Sequence, residues 1–111
     1  AAGNGRSWMY ATGWECYTSP GKTRSDELAE CFYKAFSAAF PEKRMRRDLS
    51  DGDSDKESNL YILTKTRCPA VLLENFFYDN RDECAWLLLD GTKGRIAAAI
   101  VQGIKKYIKK Q

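Results

Sequence analysis

Histidine is missing from all 111 residues, and that absence narrows the chemistry open to this chain. Ser–His and Cys–His nucleophile pairs are excluded. So are the imidazole ligands of a usual catalytic zinc. Carboxylates, thiols, phenols and amines remain, and among them Glu74 stands apart. It follows Ala70, Val71, Leu72 and Leu73, an apolar run that reads as an interior strand, and it precedes Phe76, Phe77 and Tyr78. Two roles compete for it on local pattern alone. It is a functional group beyond the carboxyl end of a strand, where α/β sheets gather their sites, or a structural one that caps a helix or pairs with Arg67 or Arg81.

The other reactive groups are less pointed. Cys16, Cys31, Cys68 and Cys84 contain no C-x-x-C pair, so neither a zinc knuckle nor a thioredoxin-like motif is supported. They read first as reduced, largely buried thiols, although an even count permits disulfides. Asp51, Asp53 and Asp55 alternate like the start of an EF-hand loop, but Lys56 occupies the glycine position and Ile62 the bidentate glutamate position, so calcium is not expected. The segment 42–59 reads as a solvated charged loop whose basic half, Arg44, Arg46 and Arg47, could touch an anion. Lys105, Lys106, Lys109 and Lys110 suit the C-terminal end of a helix dipole. A net charge of +3 and the lack of an aromatic platform beside these lysines argue against nucleic acid.

Several elements must position Glu74. "WECYTS" alternates Trp14, Cys16 and Thr18 with Glu15, Tyr17 and Ser19, which predicts a strand. "SDELAECFYKAFSAAF" predicts a helix capped by Ser25, with Leu28, Phe32, Ala35, Phe36, Ala39 and Phe40 on its buried stripe and Pro41 as its stop. "NLYILTKT" predicts a strand apolar on both faces. The strand Ala70–Leu73 begins after Pro69. Asn80, Arg81, Asp82 and Glu83 form a capping box for a short helix that turns Ala85, Leu88 and Leu89 inward. A last helix from about Thr92 to Lys109 carries Ile96, Ile100, Ile104 and Ile108, with Ala97 and Val101 beside them.

Hydrophobic content of 43% and charged content of 30% describe an ordinary globular chain, one domain or part of one. No apolar run approaches the roughly 20 residues of a membrane-spanning helix. Strands and helices alternate, so the class is α/β, with a partial sheet of about three to four strands covered by helices.

The ordered set of motifs resembles the zinc-dependent N-acetylmuramoyl-L-alanine amidases of the amidase-3 type. "CPAVLLENFFYDNRDE" followed by "GRIAAAIVQGIKKYI" is similar to the family's closing third. Pro69 to Leu73, Glu74, Phe77 and Asn80 match its strand, glutamate, aromatic and helix cap; Ile96, Ala97, Ile100, Gly103 and Ile104 match its final helix. Upstream, "GWECYTS" resembles its G-x-E-x-Y strand and "SDELAECF" its S-x-x-L-A helix. One departure is Phe76, where the family usually has glycine, and this implies a different path for the loop after Glu74.

The resemblance implies the C-terminal part of an amidase-3-like (phosphorylase/hydrolase-like) fold, with residues 1–111 forming the C-terminal portion of a single catalytic domain. It implies Glu74 as catalytic glutamate and zinc as cofactor of the intact domain. The family's metal ligands, two histidines and a glutamate, lie before the region matched here, so no zinc is expected on this chain and no hydrolysis from it alone. The implied reaction is hydrolysis of the amide between N-acetylmuramic acid and L-alanine by zinc-activated water. The implied partner is peptidoglycan or a muropeptide, outside the cytoplasm at the cell wall, with self-association through an exposed sheet edge. Two other readings are a non-catalytic wall-binding module and an anion-binding domain that uses Arg44, Arg46, Arg47 and the terminal lysines.

Overall fold

The computed structural model describes residues 1–47, 56, 57 and 59–111, and the acidic alternation Asp51–Asp55 lies outside them. β1 (Glu15–Thr18) is the central strand of three, between β2 (Lys56–Glu57) and β3 (Leu72–Glu74). It runs parallel to β2, with Tyr17 opposite Lys56. It runs antiparallel to β3, with Glu15 opposite Glu74 and Tyr17 opposite Leu72. The α/β class read from the sequence is the one observed. The strand at 56–57 falls inside what the charge pattern marks as loop. Met45 also bridges Trp14, with Trp14 N donating to Arg44 O at 2.9 Å.

Alternation along β1 sorts its side chains as expected. Trp14, Cys16 and Thr18 are fully buried. Trp14 stacks on Phe36 at 4.3 Å and meets Tyr33 edge-on at 4.8 Å, so this face lies under α1 (Arg24–Ala39). Gly13, just before the strand, has φ +104, and a Cβ there would stand 2.5 Å from Arg44 O; only glycine fits.

The cap of α1 is Thr23, not Ser25. Thr23 accepts from Ser25 N while Asp26 accepts from Thr23 N, a complete capping box. Ser25 is thereby released to turn inward, where its hydroxyl accepts from Ala70 N at 2.9 Å and ties the helix start to the segment leading into β3.

The predicted strand over "NLYILTKT" is instead α2 (Tyr61–Thr64), a single turn. Thr64 and Thr66 hydroxyls donate to the carbonyls of Leu60, Tyr61 and Ile62, and only Leu63 is buried. These local bonds override the two-sided apolar pattern that reads as strand.

α3 (Arg81–Leu87) turns a different face inward from the one predicted. Ala85 is exposed, as are Leu88 and Leu89, while Glu83, Trp86 and Leu87 point to the interior. Asn80 caps the helix by accepting from Glu83 N at 3.0 Å. The returning half of the expected box is missing, because the Glu83 carboxylate accepts from Gly13 N and Phe77 N instead. That inward carboxylate sets the rotation of the helix.

α4 (Thr92–Lys110) packs along α1. Its inward face runs through Ile96, Ala99, Ile100 and Gly103, whereas Ala97, Val101, Ile104 and Ile108 are exposed. The predicted stripe is therefore displaced around the helix toward Gly103. No helix among the described residues is long and apolar enough to cross a membrane.

Candidate active site

Glu74 ends β3 with its side chain about a quarter exposed. Its Oε2 lies 3.6 Å from the Ala1 amine, which also donates to Phe76 O at 3.0 Å, while Tyr78 N donates to Ala1 O. Of the two structural partners weighed from sequence, Arg67 is exposed and Arg81 lies over the Trp8 ring. The first residues of the chain thus run directly past Glu74.

The loop after Glu74 is over-determined. Phe76 N donates to Glu74 O at 3.0 Å, and Trp14 Nε1 donates to Asn75 Oδ1 at 3.0 Å. Phe76 has φ +70, the left-handed conformation that favours glycine. Phe76 thus holds a backbone conformation that glycine adopts more readily. Its ring is fully buried against Trp86 (4.7 Å) and Phe40 (5.3 Å), and this packing offsets the strain.

Sequence reasoning missed the neighbours of Glu74 across the sheet. Cross-strand partners in an antiparallel pair project to the same face, so Glu15 shares the face of Glu74. Glu15 is only 5% exposed. Its Oε2 accepts from Arg46 Nε at 3.0 Å and its Oε1 from the Tyr17 hydroxyl at 3.2 Å. Burial, then the charge of Glu15, raises the Tyr17 pKa, with Glu74 contributing, so the phenol stays protonated. Arg46 also donates to Thr12 O. Tyr33 fixes the Arg46 backbone: its hydroxyl donates to Arg46 O at 2.7 Å and accepts from Cys16 N. The G-x-E-x-Y pattern is the signal that could have singled out Glu15 and Tyr17. No signal distinguishes Arg46 from the other arginines of its run.

These residues do not fit a zinc ion by themselves. Among the described residues no three His, Cys, Asp or Glu side chains converge. Glu15, the carboxylate paired across the strands with Glu74, is already engaged by Arg46 and Tyr17. The four cysteines are present as thiols, with Cys16 and Cys31 buried and Cys68 exposed.

The sequence profile of the N-acetylmuramoyl-L-alanine amidase family, amidase-3 type, matches residues 3–106. The chain belongs to that family. A curated relative, the endolysin of Bacillus phage SPP1, is 35% identical over 66 residues, which cover 60% of this chain and 24% of the endolysin. The catalytic domain of CwlV, an N-acetylmuramoyl-L-alanine amidase from Bacillus (Paenibacillus) polymyxa var. colistinus, superposes with a TM-score of 0.71 at 27% identity, covering 89% of this chain and 50% of that one. The N-acetylmuramoyl-L-alanine amidase of Clostridium difficile 630 superposes with a TM-score of 0.79 at 23% identity, covering 98% and 54%, a likeness of fold. The chain spans about half the length of the solved amidases it matches.

Proposed function

We propose that this chain carries the proton-transferring half of a peptidoglycan amidase, with Glu74 as its catalytic glutamate. The observation that carries the reading is a partly exposed carboxylate at the end of a paired strand, inside a chain matched by the amidase family from residue 3 to residue 106. Glu74 takes a proton from the attacking water and returns one to the departing L-alanine amine. The bond cut joins the lactyl group of muramic acid to L-alanine, at the cell wall. Zinc belongs to this proposal through ligands other than the residues described here; bound, it supplies a water acidified to near-neutral pKa. By itself the chain hydrolyses nothing. The outer edge of β3 carries no partner strand among the described residues, and chains associate through it.

The test places the chain behind a metal-binding segment of the family and follows the appearance of L-alanine amino termini from purified peptidoglycan. Glu74→Gln should lower the rate by about 10²-fold or more. A Glu74→Gln protein that hydrolyses at the parent rate removes Glu74 from the mechanism.

A further inference from the structure

Trp8 and Tyr78 are each about half exposed (52% and 54%) and flank a cavity of about 450 Å³ whose wall includes Arg6, Ser7 and Asp79. Trp8 also borders a second cavity of about 270 Å³ that reaches Tyr10 and Arg81. Arg81 stacks on the Trp8 ring at 5.4 Å. Both hollows border the same Trp8 indole and make the surface around it grooved. The near end of this groove lies within about 14 Å of extended chain of Glu74: Ala1 touches Glu74 and Gly5 lines the groove.

The loop that presents Trp8 is held by hydrogen bonds along its length. Asp79 Oδ2 accepts from Asn4 N and Gly5 N. Asn4 Oδ1 accepts from Arg6 N and Ser7 N. Met9 N donates to Asp79 O at 2.7 Å, and Asn80 Nδ2 donates to Met9 O. An indole left half in water by an anchored backbone forgoes burial that a slack loop would recover. It is preorganised to receive a ligand at small entropic cost.

We propose that this groove binds the sugar strand of peptidoglycan, seating N-acetylhexosamine rings on the faces of Trp8 and Tyr78 while Glu74 meets the amide. The proposal rests on the peptidoglycan reading above. A hexosamine ring has an apolar C–H face and a polar rim. The groove offers aromatic faces bordered by Arg6, Ser7 and Arg81 as donors, with Asp79 in its wall. A stem peptide would instead seek a strand edge to extend, and residues 5–10 present none.

The experiment titrates the 111-residue chain with an N-acetylglucosamine tetrasaccharide and follows the Trp8 indole N–H by NMR, assigned from its loss in Trp8→Phe. Saturable shifts with a dissociation constant on the order of 1 mM are expected. Trp8→Ala should weaken binding about tenfold, Trp8→Phe should retain most of it, and Tyr61→Ala, an exposed aromatic elsewhere, should change nothing. An indole signal unmoved at about 10 mM sugar, or moved by a free stem peptide and not by the sugar, overturns the proposal. Hydrolysis does not enter the readout. A negative result here leaves the Glu74 reading intact, and a fully active Glu74→Gln enzyme leaves this one intact.

Discussion

The ring of Phe32 fills the place a side chain at Gly103 would need: a Cβ built there would stand 2.4 Å from Phe32 Cδ1. This contact sets which face α4 turns toward α1. Gly103→Ala should destabilise the chain by about 1–3 kcal/mol, overpacking outweighing the helix propensity gained. Gly94, on the same helix, has nothing outside the local helix within 4 Å of such a Cβ among the described residues. Gly94→Ala should therefore stabilise by about 0.5–1 kcal/mol. Urea unfolding of both variants checks the opposite signs.

Phe76 sets a left-handed backbone against a buried ring, and the two parts separate by substitution. Phe76→Gly relieves strain of roughly 1–2 kcal/mol but loses packing worth about 3–5 kcal/mol. Phe76→Ala loses the packing and keeps the strain. The expected order of thermal midpoints is parent, then Phe76→Gly, then Phe76→Ala. Alanine outlasting glycine would contradict the backbone assignment.

Arg46 faces a nearly buried carboxylate, so removing either partner is not symmetric with removing both. Arg46→Ala removes the cation facing the Glu15 carboxylate, costing about 2–3 kcal/mol after allowance for the partial exposure of Arg46. Glu15→Gln with Arg46→Met should recover most of that loss. A double variant as unstable as the single one would show that packing, not charge, dominates the contact.

The amide of Gly3, then those of Gly5 and Asn4, hold the Asp79 carboxyl below its ordinary value. A depressed carboxylate pKa adds stability that is present above the unfolded value, about 3.9, and lost as pH falls through the lower folded value. The loop carrying Trp8 should stay anchored at neutral pH and loosen only in strong acid. Amide exchange at Asn4 and Gly5, followed between pH 5 and pH 2, checks this. Asp79→Asn should loosen the same loop at every pH.

Local patterns carried much of the fold. The period of α1, the alternation along β1 and the cap at Asn80 were legible because each is written in neighbouring residues. The Glu74 strand was legible too, although β3 begins two positions later than the apolar run. What failed was the strand expected over "NLYILTKT", which forms α2, and the orientation of two helices. The inward faces of α3 and α4 depend on a buried Glu83 and on room for Phe32, and neither follows from the apolar count of the helix itself. The candidate site divides the same way. Glu74 is marked by its own context, whereas Arg46 reaches Glu15 from a charged run in which every arginine looks alike.

Glu83 joins two stretches far apart in sequence. Its Oε1 accepts from Gly13 N at 2.9 Å and from Phe77 N at 2.8 Å, while Lys43 approaches Oε2. One oxygen atom thus latches both the approach to β1 and the exit from β3. These two amides should open to solvent in a single event, with matching exchange rates, and Glu83→Gln should quicken both together. The rim that carries Glu74 then has one shared clock, and no route by which one side drifts while the other stays shut.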